Sequence, residues 1–263
     1  MKTILDFARA RREQRPLVVV TAYDALMARL VASASVDAIL VGDSAAMVVH
    51  GLPSTVHATV EMLRTHVAAV RRGAPDLFVI ADLPFLTARQ GRDVATAAAG
   101  VLLQAGANAV KIEGLAGHED IVAHLVGSGV PVMGHLGLTP QSVHQLGGYR
   151  MQGRATHEAE RLRQEARQLE QLGAFALVLE CVPEALAATV TTDLAIPTIG
   201  IGAGGGTAGQ VLVLTDLLGL DPDFQPRFAR RFLKGHELVH EALTHYATAV
   251  RDGSFPARAE VVA

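Results

Sequence analysis

Ala38-Ile-Leu-Val-Gly-Asp43 is a short apolar run that ends in a carboxylate, and the same arrangement occurs three more times in the chain. The other copies are Phe78-Val-Ile-Ala-Asp82, Ala109-Val-Lys-Ile-Glu113 and Ala176-Leu-Val-Leu-Glu180. Runs that are apolar at every position are typical of parallel strands, because both faces of such strands are covered. A carboxylate at the end of a buried strand is costly unless it binds a partner. The runs therefore predict a parallel sheet whose strand ends carry a binding site.

Eight apolar runs alternate with helical patterns along the chain. We predict strands at residues 17–23, 37–43, 77–84, 108–113, 130–136, 175–181, 197–202 and 211–215. We predict helices at residues 24–34, 59–72, 92–105, 118–127, 155–172 and 183–192. This alternation indicates parallel strands joined by helical crossovers, and eight units favour a closed (β/α)8 TIM barrel of the α/β class. An open doubly wound sheet is the alternative, and the link between the last two strands is short for a crossover helix.

The length and the lack of linkers indicate a single domain. A chain of 263 residues suits one α/β barrel, and no stretch is rich enough in Pro, Gly or Ser to divide it. We therefore expect residues 1–263 to form one barrel domain, with C-terminal helices at about residues 221–250 and a short tail from Ser254.

Composition and charge exclude several classes of function. The net charge is −3 and the basic residues are scattered, so no nucleic-acid surface is expected. No apolar run approaches the roughly 18 residues of a membrane span, and the N-terminus becomes charged too early for a secretory signal, which favours a cytoplasmic protein. The single cysteine, Cys181, excludes an internal disulfide. Half of the residues are apolar, and covering so much apolar surface favours a homo-oligomer.

Asp43, Asp82 and Glu113 end three neighbouring predicted strands. Active sites of (β/α)8 barrels form at the C-terminal ends of the strands, where these carboxylates would repel one another without a cation between them. Oxygen ligands suit Mg²⁺, or Mn²⁺ in its place. Each carboxylate could instead cap the following helix, but three in consecutive order favour a metal site.

Three further polar residues occupy comparable positions. Lys111 and Glu113 face the same side of their strand, and a buried lysine needs a partner such as a carboxylate. His135 lies on the next strand and is either a functional group or a hydrogen-bonded core histidine. Glu180 ends the sixth strand.

The glycine run at residues 199–206 contains G-x-G-x-x-G, but the next strand follows too soon for a dinucleotide fold, so a tight loop at the barrel mouth is the better interpretation.

A set of longer motifs resembles a known family. They are Thr21-Ala-Tyr-Asp24, Val41-Gly-Asp-Ser44, Ala81-Asp-Leu-Pro-Phe85, Val110-Lys-Ile-Glu-Gly114, Gly134-His-Leu-Gly-Leu-Thr-Pro-Gln-Ser142, Gly147-Gly-Tyr-Arg-Met-Gln-Gly-Arg154, Leu179-Glu-Cys-Val-Pro183 and Ile199-Gly-Ile-Gly-Ala-Gly204. In this order they resemble the 3-methyl-2-oxobutanoate (ketopantoate) hydroxymethyltransferases of pantothenate biosynthesis. The resemblance extends from about residue 3 to residue 250.

This resemblance implies a barrel of the phosphoenolpyruvate/pyruvate type, a homo-oligomer that is typically a decamer, and transfer of a hydroxymethyl group from 5,10-methylenetetrahydrofolate to 3-methyl-2-oxobutanoate. It also implies roles for individual residues. Asp43, Asp82 and Glu113 would form the Mg²⁺ site, directly or through water. Asp43, Ser44, Asp82 and Lys111 would hold the 2-oxo acid, with His135 beside it, and Glu180 would accept the proton.

Two other functions remain open at this stage, and the folate site is poorly marked. Another Mg²⁺-dependent 2-oxo acid lyase or mutase of the same barrel group would share the carboxylates, and a non-catalytic barrel scaffold would retain the fold alone. Aromatic residues make up only 4% of the chain, and no aromatic pair indicates a pterin site. We expect the folate near the mouth loops at about residues 200–216 and at a subunit boundary.

Overall fold

The computed structural model describes residues 2–260, and eight parallel strands close into a barrel. The strands are β1 (Leu17–Thr21), β2 (Ala38–Val41), β3 (Phe78–Asp82), β4 (Ala109–Glu113), β5 (Val132–Gly137), β6 (Ala176–Glu180), β7 (Thr198–Ile201) and β8 (Gly209–Leu212). Neighbours in sequence are neighbours in the barrel, and β8 pairs with β1 to close it. The closed (β/α)8 barrel is thus confirmed, and the open sheet is excluded.

Helices connect most of the strands. They are α1 (Ile4–Arg12), α2 (Ala25–Ser33), α3 (Ala45–Val48), α4 (Val60–Gly73), α5 (Arg92–Gln104), α6 (Glu119–Gly127), α7 (Val143–Leu146), α8 (Thr156–Gln171), α9 (Glu184–Asp193), α10 (Leu214–Leu218) and α11 (Gly235–Asp252). The six predicted helices correspond to α2, α4, α5, α6, α8 and α9, with ends that differ by one residue or less. No helix within residues 2–260 has the length and apolar character needed to cross a membrane.

Two predicted boundaries are wrong. The eighth strand runs from Gly209 to Leu212 instead of 211–215, because α10 begins at Leu214. The expected helices at 221–250 are a single helix from Gly235, and residues 219–234 are turns. Pro222 and Pro226 lack the N–H that a helix interior requires.

The chain divides into two compact units, one ending at Val213 and one beginning at Leu214. The first contains all eight strands, and the second contains α10 and α11. The C-terminal tail predicted from Ser254 is described as far as Glu260, and its last three residues lie outside the described part.

The N-terminal end of the barrel is filled by aromatic side chains. Phe7 of α1 is fully buried, and its ring centroid lies 5.1 Å from that of Phe78 and 5.2 Å from that of Phe175. Phe78 begins β3 and Phe175 directly precedes β6, so α1 covers the end of the barrel where the strands start. Burying three aromatic side chains stabilises this end strongly. The polar strand-end residues lie at the opposite, C-terminal end of the barrel.

Ion pairs fasten the start of the chain to the same end. The buried carboxylate of Asp37 contacts Lys2 at 2.7 Å and Arg15 at 3.1 Å and accepts a hydrogen bond from the N–H of Val18 at 2.9 Å. Burial opposes ionisation, but the Lys2 and Val18 hydrogen bonds outweigh it and lower the pKa of Asp37. The contacts join the residues before and after α1 to the first two strands.

Candidate active site

Five of the predicted site residues lie at the C-terminal ends of neighbouring strands. Asp82, Glu113 and Glu180 are the last residues of β3, β4 and β6, while Asp43 and Ser44 follow β2 after one intervening residue, Gly42. In a parallel barrel all of these ends lie at one mouth. The structure therefore brings together carboxylates that are up to 137 positions apart in sequence, as Asp43 and Glu180 are.

Lys111 and His135 fill the space between these carboxylates. Lys111 of β4 pairs in register with Asp82 of β3, and His135 of β5 pairs with Glu113 of β4. Both side chains are buried, at 4% and 2% exposure. The alternation of strand residues points both of them toward the barrel interior, as the same-side argument for Lys111 and Glu113 predicts.

The ammonium group of Lys111 has three partners. Its Nζ lies 3.0 Å from Oδ1 of Asp82, 3.6 Å from Oε1 of Glu113 and 3.1 Å from Nδ1 of His135. Burial alone would lower the pKa of Lys111, but Asp82, Glu113 and Asp43 outweigh it, and the pKa is raised. Lys111 is therefore a permanent cation within the acidic cluster.

His135 connects this cation to Glu180. Since the ammonium of Lys111 can only donate, Nδ1 of neutral His135 accepts, and its hydrogen is on Nε2, which lies 3.2 Å from Oε2 of Glu180. Burial and Lys111 lower the pKa of His135, but Glu113 and Glu180 outweigh them and raise it. On protonation, Nδ1 can donate to Oε1 of Glu113, 3.3 Å away. His135 thus contacts Lys111, Glu113 and Glu180 and is not an isolated core histidine.

The carboxylates differ in how they are stabilised. Burial, and then the charges of Asp82 and Glu113, raises the pKa of Asp43 well above its usual range. Burial would also raise the pKa of Glu113, but Lys111 and His135 lower it overall. Oδ2 of Asp82 accepts a hydrogen bond from the backbone N–H of Asp43 at 3.0 Å. Asp43 is thus the carboxylate whose ionised form is most destabilised by the neighbouring negative charges.

Ser44 is held beside the cluster by Tyr23. The two hydroxyl oxygens lie 2.8 Å apart, and the Tyr23 side chain is buried. The carbonyl oxygen of Tyr23 accepts a hydrogen bond from Nδ1 of His66 in α4 at 2.6 Å, which fixes the loop after β1. Tyr23 belongs to a motif that was recognised in the sequence, but no pattern in the sequence indicated its contact with Ser44.

Gln141 is a second residue that the sequence analysis did not assign. Its Nε2 donates to Oδ2 of Asp43 at 2.8 Å and to the carbonyl oxygen of Leu83 at 3.0 Å. Its backbone N–H donates to Oε2 of Glu113 at 3.0 Å. Gln141 thus ties the loop after β5 to two of the three carboxylates. Its membership of the motif that contains His135 was the only signal in the sequence.

Cys181 is not placed for thiolate chemistry. It directly follows Glu180, and its backbone has a φ of +46°, which is unusual for a residue other than glycine. Burial, and then the charge of Glu180, raises the pKa of its thiol to about 11. A thiol with such a pKa is protonated and unreactive at neutral pH.

The donor atoms suit a hard divalent cation. When all three carboxylates are ionised, they outnumber the one ammonium group by two charges in a buried space, and Oδ1 of Asp82 is buried without a well-directed hydrogen bond. Carboxylate oxygens are the ligands that Mg²⁺ prefers. Within residues 2–260, however, no three Asp, Glu, His or Cys side chains are grouped closely enough to hold an ion by themselves. A bound Mg²⁺ would thus need water or substrate oxygens to complete its coordination.

Comparison with known proteins identifies the family. The sequence model of the family described as ketopantoate hydroxymethyltransferase matches residues 1–258. This chain belongs to that family. A curated relative from Legionella pneumophila (strain Lens), named 3-methyl-2-oxobutanoate hydroxymethyltransferase, is 50% identical over 255 residues, covering 97% of each chain. One of the same name from Francisella tularensis subsp. novicida is 44% identical over 258 residues, covering 98% of this chain and 97% of the relative.

Solved structures with the same fold are more distant in sequence. A phosphonopyruvate hydrolase in complex with oxalate and Mg²⁺ aligns with a TM-score of 0.65 at 12% identity, covering all of this chain and 92% of the other. The 2,3-dimethylmalate lyase, described as a member of the PEP mutase/isocitrate lyase superfamily, aligns with a TM-score of 0.63 at 21% identity, covering 96% and 89%. At these identities the likeness concerns the fold alone, which is the closed (β/α)8 barrel of this ketopantoate hydroxymethyltransferase family member.

Proposed function

We propose that the enzyme removes the C3 proton of 3-methyl-2-oxobutanoate with Glu180 and joins C3 to the one-carbon unit of 5,10-methylenetetrahydrofolate. Family membership makes the chain a hydroxymethyltransferase of pantothenate biosynthesis. The contact of 3.2 Å between His135 and Glu180 carries the residue-level proposal, because it places a carboxylate base beside a buried, cation-containing site. The products are 2-dehydropantoate and tetrahydrofolate, and a water molecule supplies the oxygen of the new hydroxymethyl group.

Asp43, Asp82 and Glu113 would hold Mg²⁺, directly or through water. The two uncompensated negative charges and the all-oxygen donor set support this assignment. When bound, the ion would draw electron density from the keto oxygen of the 2-oxo acid and so make the C3 proton more acidic. Lys111, which keeps its charge, would face the carboxylate of the 2-oxo acid together with Ser44.

Glu180 suits the role of base because it is the most accessible charged group of the cluster. Its side chain is 16% exposed, compared with 4% for Glu113 and 4% for Lys111. Oε2 of this carboxylate lies 3.2 Å from Nε2 of His135, which would hold the group in position beside the substrate. A base positioned in this way contributes about 10²–10⁴-fold to a proton transfer.

The rival functions are less well supported. A lyase or mutase of the same barrel group that uses a cysteine as an acid would need that residue on a loop over the site, whereas the only cysteine, Cys181, directly follows the last residue of β6. A non-catalytic scaffold would gain nothing from burying a lysine and a histidine against carboxylates, since unpaired buried charges are costly. From the family resemblance we also expect the enzyme to form a homo-oligomer, typically a decamer.

Exchange of the C3 proton tests the proposal without the folate. With Mg²⁺ present, the purified enzyme should exchange the C3 proton of 3-methyl-2-oxobutanoate for deuterium from D₂O, as measured by NMR. Glu180→Gln keeps the shape but removes the base, so exchange should slow by about 10²-fold or more. EDTA should also stop the exchange, and added Mg²⁺ should restore it. Wild-type exchange in the Glu180→Gln variant would show that another group is the base.

A further inference from the structure

The aromatic residues of the barrel unit fall into two groups. Four of them are buried: Phe7, Phe78 and Phe175 at the N-terminal end, and Tyr23 beside Ser44. The other two within residues 2–213, Phe85 and Tyr149, are exposed. Phe85 is 37% exposed and Tyr149 is 57% exposed, and both lie on loops that follow the C-terminal ends of strands, β3 and β5. Every solvent-facing aromatic ring of the described barrel unit is thus on a loop at the active-site end.

Tyr149 lies between the two halves of the active site. Its hydroxyl group is 3.9 Å from the sulfur of Met47, which is three residues beyond Ser44. Three residues after Tyr149, the N–H of Gln152 donates to the carbonyl oxygen of Cys181 at 2.9 Å, next to the base. Tyr149 is therefore held near both the substrate-binding end of β2 and the end of β6.

The electrostatics agree with this placement. Burial, and then the negative charges of Glu180, Asp43 and Glu113, raises the pKa of Tyr149. The ring is therefore within electrostatic range of the catalytic carboxylates while more than half of its residue surface remains exposed. A large apolar face directed to solvent beside a buried polar site is a common feature of a ligand pocket.

The chemistry of methylenetetrahydrofolate, the one-carbon donor, indicates which group would lie beside Tyr149. The one-carbon unit of methylenetetrahydrofolate is bonded to N5 of the pteridine ring, so forming the bond to C3 brings that ring to within a few atoms of the substrate. A flat heterocycle gains most from a flat partner, since stacking on an aromatic side chain is worth about 1–3 kcal/mol for a nucleic-acid base, which is of similar size. Tyr149 offers such a surface over the site.

We propose that the ring of Tyr149 forms one face of the pteridine site of the one-carbon donor. This inference rests on the proposed transfer from methylenetetrahydrofolate, and it places the pteridine on the loop after β5 rather than at residues 200–216. Tyr149 binds the co-substrate and takes no part in removing the C3 proton.

Two variants of Tyr149 separate stacking from other roles. Tyr149→Leu removes the aromatic face, and Tyr149→Phe keeps the face but loses the weak contact to the Met47 sulfur. Equilibrium dialysis of tetrahydrofolate under reducing conditions measures binding without chemistry. The Kd should rise about tenfold in Tyr149→Leu and stay within about twofold of wild type in Tyr149→Phe. The KM for methylenetetrahydrofolate should change in the same way.

The C3 exchange assay without folate serves as the second readout. Tyr149→Leu should exchange at the wild-type rate, which shows that the fold, the base and the 2-oxo acid site are intact. An unchanged tetrahydrofolate Kd in Tyr149→Leu would overturn the inference, and so would a loss of exchange in that variant, because Tyr149 would then act on the 2-oxo acid. If wild-type exchange were absent while the Kd still rose in Tyr149→Leu, the proposed base chemistry would fail and the pteridine site would stand.

Discussion

Lys111 and His135 link the carboxylate of Asp82 to that of Glu180 through direct contacts. Lys111 contacts Asp82 and His135, and His135 contacts Glu180. Because all of these side chains are mostly buried, removing one of them would leave another without a partner in a medium that screens charge poorly. The residues therefore act as a unit, and single substitutions in it cannot be read as independent contributions.

Gln141 offers a more selective test of how the carboxylates are oriented. Its side-chain amide donates to Oδ2 of Asp43, the carboxylate with the raised pKa. Hydrogen bonds to metal-binding side chains commonly contribute about 10–100-fold to metal affinity. We therefore expect Gln141→Ala to raise the Mg²⁺ concentration for half-maximal C3 exchange by about tenfold or more, and to weaken Mn²⁺ binding measured by EPR titration similarly.

Gln145→Ala is a matched control for that substitution. Gln145 lies in α7 of the same connection between β5 and β6, is exposed and makes no side-chain hydrogen bond within residues 2–260, so its variant should bind Mn²⁺ as the wild type does. Equal Mn²⁺ affinity in the Gln141 and Gln145 variants would show that the amide does not orient the metal site.

The sequence predicts residues at strand ends better than residues on loops. Asp43, Asp82, Glu113 and Glu180 could be selected because a carboxylate that closes a buried apolar run is costly and therefore conspicuous. Gln141 could not be selected, since its role depends on how the loop after β5 folds back over β2 and β4. That loop path is set by long-range contacts, which no local pattern in the sequence encodes.

At the scale of elements, the crossover helices hold the loops that form the site. α4 packs against α2, and His66 of α4 fixes the carbonyl of Tyr23, whose hydroxyl contacts Ser44. The position of α4 relative to α2 is therefore transmitted to Ser44, near the C-terminal end of β2, through two hydrogen bonds.

Gly73 allows the close approach of these two helices. It is the last residue of α4, and a Cβ atom at this position would overlap the backbone of Ala25 at the start of α2. Gly73→Ala should lower the free energy of unfolding by about 1–3 kcal/mol, because the helices must move apart. Gly100 of α5 has no atom within 4 Å of such a Cβ, so Gly100→Ala should stabilise by about 0.5–1 kcal/mol. Urea denaturation midpoints compare the two, and equal shifts would contradict the packing argument.

The elements that the sequence predicted correctly are those with repeated patterns. All eight strands were found because parallel strands are apolar throughout, and the six long crossover helices were found from their helical patterns. α1, α3, α7 and α10 were missed; three of them span only four or five residues, too short for a helical repeat. The helices predicted at about residues 221–250 begin only at Gly235, because Pro222, Pro226 and the turn capped by Asp221 interrupt a helix before that point.

At the scale of the whole molecule, α11 in the C-terminal unit carries an uncovered apolar stripe. The stripe consists of Val239, Leu243, Tyr246 and Val250, which are 47–63% exposed. Their spacing of four, three and four residues places them on one face of the helix, as in a helix-packing seam. A face of this kind is normally covered, and within residues 2–260 it stays about half exposed, although the ring of Tyr246 packs on that of Phe255 with centroids 5.4 Å apart.

The stripe predicts that α11 contributes to the contact between copies of the chain. Leu243→Glu puts a charge in the centre of the stripe, where burial against another apolar surface would cost several kcal/mol, so the variant should form a smaller assembly than the wild type. Thr248 lies on the opposite face of α11 and is exposed, so Thr248→Glu adds the same charge and should leave the assembly unchanged. Light scattering coupled to size-exclusion chromatography measures each mass. A wild-type mass equal to one chain would refute the expected homo-oligomer, and an oligomer unaffected by Leu243→Glu would place its contacts on another surface.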